Sequence, residues 1–224
     1  MGRTIYAVDV GSTRCKPGGT PNFGWARVDP EYPNTVNGSS EIGALADAVV
    51  QDLSSGNSIA LGFEAPLFIP VPELASKLCH GRTNEGSRSF AAPAGLAVTT
   101  LGIHQSAWLL RHIARRCNNN IEFRVDPEAW PPSRGGTILF CWEAFVSDTA
   151  HGESHVRDAA TAVIEFMAME LDLAAATKIV AEWPLSLIGA VALWSGLSTD
   201  ITILAQPTVV IRPKSQFLGR VQVA

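Results

Sequence analysis

The chain has 224 residues, 46% of them hydrophobic and 17% charged, with a formal net charge of −4. That length can bury a full core and suits one α/β unit with elaborations, and the composition is that of an ordinary globule, not of a disordered chain. The net charge lacks the basic excess of a protein that coats nucleic acid through many phosphate contacts, but it leaves room for an enzyme with a local basic rim.

Cys15, Cys79, Cys117 and Cys141 are far apart and form no CxxC pair, so neither a zinc site nor a disulfide framework is expected, and a reducing cytoplasm is the default setting. No charged start leads into an apolar signal core. The longest apolar run, Trp183 to Trp194, is interrupted by Pro184, Ser186 and Gly189 and is too short for a bilayer, so no membrane segment is expected.

In chain order, Thr4 to Val10 reads as a buried strand that delivers Asp9 to a Gly11-Ser12-Thr13 turn. Asn22 to Val28 reads as a second strand, antiparallel to the first, and residues 29–37 as a loop or weak third strand. Ile42, Leu45, Ala46, Val49 and Val50 recur at helical spacing and predict a helix over 40–53. Ser58 to Glu64 is another short buried strand, again ending in an acid.

Residues 66–97, rich in proline and polar at His80 to Arg88, read as an insert acting as a lid or substrate loop. Arg82 and Arg88 are its candidate phosphate contacts, with arginines that are solvated or paired with Glu85 as the plain alternative. A helix is expected from Leu101 to Cys117, a short strand over 121–125, and a core strand from Thr137 to Glu143, the third to end in an acid. His155 to Met169 reads as a buried helix. The tail, 176–224, is expected to add a helix over 183–197 and strands over 201–204 and 208–211, packed on the 1–175 domain.

The strand-helix-strand order predicts that Asp9 and Glu64 emerge together at the carboxyl edge of a parallel sheet, where α/β folds place their sites. His155 and Asp158, three residues apart, share one helix face. Each acid alone has an ordinary explanation as a turn-former, cap or first-turn residue. Together they make a self-repelling cluster of hard oxygen ligands that suits Mg²⁺ or Mn²⁺. Two such ions about 4 Å apart would hold the attacking and leaving oxygens of a phosphodiester.

This arrangement resembles the ribonuclease H-like superfamily, and within it the RuvC-type nucleases and related uncharacterised domains. The resemblance is carried by Ala7-Val-Asp9-Val-Gly11, Phe23-Gly-Trp-Ala-Arg27, Phe63-Glu64-Ala-Pro66 and His155-x-x-Asp158 with its Ala-rich continuation. It implies a mixed sheet with helices on both faces and metal ligation by Asp9, Glu64 and Asp158. It also implies a ligand or proton-shuttle role for His155, and DNA or RNA as substrate. Glu143 is expected to replace His155 or to face solvent.

Two other readings stand beside this one. Gly11-Ser12-Thr13 also resembles the phosphate turn of the sugar kinase and actin superfamily, though 224 residues leave little room for that duplicated fold. The same fold could instead serve as a non-catalytic interaction module, with Trp183 to Leu197 packing a homodimer or partner. Trp130, among prolines, is a candidate for stacking on a base.

Overall fold

The computed structural model describes residues 2–15, 17–87, 89–117, 120–132, 136–146 and 150–223. Its centre is an eight-stranded sheet. The strands are β1 (Arg3–Asp9), β2 (Gly24–Val28), β3 (Val36–Ser39), β4 (Ser58–Phe63), β6 (Ile121–Arg124), β7 (Thr137–Ala144), β9 (Val210–Ile211) and β10 (Val221–Val223). Their order is β10-β3-β2-β1-β4-β7-β6, with β9 also on β7. β2 is antiparallel to both neighbours and the remaining pairings are parallel, so every strand but β2 ends at one edge.

Alternation along the strands builds two cores. Tyr6, Val8, Leu61 and Phe63 face α1 (Ile42–Ser54), α2 (Pro93–Arg116) and α5 (Leu187–Ser195). Ile5, Ala7, Ala60 and Trp142 face α3 (His155–Met169), which opposes them with Ala159, Ala160, Val163 and Phe166. The expected α/β class, with helices on both faces of a mixed sheet, is therefore present. Among the described residues no helix is long and apolar enough to cross a membrane.

Several local expectations need correction. α2 begins at Pro93, eight residues before the expected start, because proline suits the first helical position and the following small residues admit neighbours. A Cβ on Gly102 would stand 2.3 Å from that of Ala65. Residues 184–186 are not helical: they form β8 (Pro184–Ser186), paired antiparallel with β5 (Phe68–Pro70). Residues 201–205 form a 3-10 turn, not a strand, because Asp200 caps it by accepting from the Thr202 N–H at 2.9 Å. A short helix, α4 (Leu173–Ala176), follows α3.

Trp130 is buried, with Nε1 donating to Glu170 at 3.3 Å, and so offers no base-stacking face. Trp25 and Trp142 are also buried, whereas Trp108, Trp183 and Trp194 are exposed.

The insert is anchored, not open. Arg82 is buried and forms a two-pronged bond to Glu143 at the end of β7 (2.6 and 2.7 Å). It also bonds Glu85 at 2.8 and 3.0 Å and lies over the Phe68 ring. Burial alone would lower the Arg82 pKa, but Glu143 and Glu85 outweigh it and raise it. Glu143 also accepts the Leu67 N–H at 2.9 Å, so it neither faces solvent nor takes the place of His155. With its donors committed to buried carboxylates, Arg82 is structural and is not a free phosphate grip; Arg88 lies outside the described residues.

Removing Arg82 would strand two buried carboxylates without their cation. Arg82→Ala is expected to lower the unfolding free energy by about 3–5 kcal/mol, read from urea titrations followed by circular dichroism. A loss below about 1 kcal/mol, the range of an exposed pair, would show that the network is not what holds the insert.

Candidate active site at the carboxyl edge

Asp9 is the last residue of β1 and is 8% exposed. The parallel register sets Val8 beside Phe63, and the next rung continues through the Glu64 N–H, which donates to the Val8 carbonyl at 2.7 Å. Asp9 and Glu64 therefore stand side by side in one row. On the far side of β4, Phe63 pairs with Glu143, which places Glu143 one row earlier and on the opposite face. That single-residue offset is why the third strand-end acid joins Arg82 and not the other two.

α3 closes over this row. Ser154 caps the helix by accepting the Arg157 N–H, and the first helical residue, His155, meets Asp9 with Nδ1 to Oδ2 at 2.6 Å. Gly24, opposite Asp9 in β2, makes this approach possible: a Cβ there would lie 2.3 Å from the His155 carbonyl carbon. Sequence reading assigned Gly24 no role, since its importance appears only when α3 is docked.

Asp158, one turn into α3, is buried beside the loop that precedes the helix. Oδ1 accepts the Gly152 N–H, and Oδ2 lies 3.1 Å from His151 Nδ1. His151 reaches Asp158 through a turn and not along a helix, so no residue spacing in the sequence marks the contact. Gln105 of α2, also unread, donates from Nε2 to the Gly11 carbonyl and fixes the chain just beyond Asp9. Glu64 is half-buried and lines a cavity of about 390 Å³ with Pro66, Ser87, Gly95, Val98 and Phe145.

The electrostatics follow from this packing. Burial raises the Asp9 pKa, the hydrogen bond from His155 opposes that rise, and the nearby Asp158 adds to it. The same hydrogen bond to Asp9 raises the His155 pKa against the opposing effect of burial, and the charges of Asp9 and Asp158 push it further up. Two acid–imidazole pairs result, Asp9–His155 and Asp158–His151. Among the described residues no group of three or more His, Cys, Asp or Glu side chains is gathered so as to hold a metal ion. No family model, curated protein or solved structure matches the chain.

Two measurements test this geometry. In metal-free buffer the His155 ring is expected to titrate above the ordinary histidine value of about 6.5. Its contribution to stability is then complete below that value and is lost as pH rises through the raised one. Asp9→Asn should move the ring titration downward in an NMR pH series, and no movement would show that the Asp9–His155 contact does not form in solution. Gly24→Ala should cost about 1–3 kcal/mol by overpacking and should perturb the His155 resonances. A fully stable variant with unchanged His155 shifts would contradict the close approach of α3.

Proposed function

We propose that this chain is a ribonuclease H-like, metal-dependent phosphodiesterase acting on nucleic acid. The observation that supports the reading is the hydrogen bond between Asp9, at the end of β1, and His155, at the start of α3 one turn before Asp158, with Glu64 next to Asp9 in the backbone register of the sheet edge. The hard carboxylate oxygens of Asp9, Glu64 and Asp158 fit Mg²⁺ or Mn²⁺.

In this reading Asp9 and Asp158 are the principal metal ligands, and Glu64 bridges or positions the attacking water. His155, already hydrogen-bonded to Asp9 and with its side chain 41% exposed, serves as a ligand or carries a proton to or from solvent. Bound ions supply Lewis acidity and lower the pKa of bound water, as hydrolysis at phosphorus requires. The acids now engage local partners, Asp9 with His155 and Asp158 with Gly152 and His151, so binding would have to exchange those contacts. That exchange favours weak, substrate-assisted ion binding. The same observation supports a second reading, a fold kept as a non-catalytic interaction module.

Calorimetric titration of Mg²⁺ and Mn²⁺ into the wild type, Asp9→Asn and Asp158→Asn separates the two, with and without a non-cleavable phosphorothioate oligonucleotide. Binding is expected in the wild type and is lost in both variants. Metal-dependent cleavage of labelled DNA or RNA should fall by about a hundredfold or more in Asp9→Asn, since loss of even an outer-shell partner costs about 10–100-fold. Full activity in Asp9→Asn would overturn the mechanism. Absence of metal binding under both conditions, with no cleavage, would favour the interaction module.

A further inference from the structure

Away from this edge, the outer face of α2 carries a row of cationic and aromatic side chains. His104, Trp108, Arg111, His112 and Arg115 follow one another at helical spacing on the side opposite the buried Leu109, Leu110 and Ile113. Trp194 of α5 lies alongside, and these residues with Ala107 line a groove of about 250 Å³ that contains no carboxylate.

Each indole leans on a protein neighbour and still shows surface to solvent. Trp108 stacks on His112 with centroids 5.2 Å apart and is 43% exposed. Trp194 lies under the Arg111 guanidinium at 4.8 Å and is 59% exposed. In a chain of net charge −4, a groove of two exposed indoles lined by arginine and histidine alone is complementary to an anionic, aromatic ligand.

We infer that this groove is a docking track for single-stranded nucleic acid. Unpaired bases stack on aromatic rings regardless of sequence while cations follow the phosphates, and a duplex would hide the faces that stacking needs. From His104 to Arg115 the track spans roughly 16 Å at the helical rise, enough for two to three nucleotides. His104, at the N-terminal end of the track, precedes Gln105, whose side chain bonds the Gly11 carbonyl two residues beyond Asp9, so that end of the track is the one nearer the carboxyl edge of the sheet. The inference rests on the phosphodiesterase reading for the fate of the strand, but binding itself needs neither the acids nor a metal ion.

The test is fluorescence anisotropy with labelled dT12 and U12 in EDTA and low salt, so that no cleavage intervenes. The wild type should bind, and Trp108→Ala and Trp194→Ala should each weaken binding by about 5- to 150-fold. Arg115→Glu, at an exposed position, provides a variant outside the core and should both weaken binding and flatten its salt dependence. No binding at 100 µM protein overturns the inference, as does binding unchanged in the folded tryptophan variants. Concentration-dependent dimerisation abolished by the same variants, without oligonucleotide binding, would reassign the face to self-association. Binding without metal-dependent cleavage would sustain the track and sink the nuclease reading; cleavage indifferent to Trp108 and Trp194 would do the reverse.

Discussion

The parallel pairing of β1 with β4 is the constraint on which the site depends. It places Asp9 and Glu64 at one height and on one row, and it orients the surrounding strands so that their carboxyl ends share an edge. Concentrating acids at such an edge is electrostatically unfavourable, and the structure relieves the strain differently on its two faces. Toward α3, Asp9 is met by the His155 imidazole; toward the other core, Glu143 is met by the buried Arg82 guanidinium. The first contact leaves a half-exposed imidazole and is open to exchange with solvent or ligand. The second is sealed from water, with every prong of the guanidinium used, and therefore acts as a brace.

Close approach is the means by which α3 reaches the edge. Small residues on both partners, Ala159, Ala160 and Ala162 on the helix with Gly24 and Gly38 on the sheet, bring the helix start against β2. At Gly38 a Cβ would stand 2.7 Å from Val156, and at Gly24 it would strike the backbone of His155 itself. Larger residues at these positions would hold His155 away from Asp9, so the electrostatics of the site depend on packing two strands away from Glu64.

The region between β4 and α2 and the segment after α4 are knitted together. β5 pairs with β8, Thr83 bridges Val180, and Asn84 donates to the Lys178 carbonyl at 2.9 Å. Through Arg82 this assembly is tied to the end of β7, beside the cavity that Glu64 lines. A segment rich in proline and polar residues was expected to form a lid. It is instead ordered by one buried cation and a two-stranded pairing whose halves lie more than a hundred residues apart.

Local sequence was enough for the α/β class, for strands carrying Asp9, Glu64 and Glu143 at or beside their ends, and for the α3 helix with His155 and Asp158 three residues apart. Those features are local: runs of β-formers and helical spacing of apolar residues depend on near neighbours. Which partner each acid meets was settled only when the strands and helices packed together. A one-residue offset between β4 and β7 sends Glu143 to the opposite face from Asp9, and register is a property of paired strands that a single strand does not carry. The burial of Arg82, the contact of His151 with Asp158 and the need for glycine at 24 were unreadable for the same reason. Each is defined by an atom brought from a distant part of the chain, and the same contacts decide whether a charge is solvated, paired or available for chemistry.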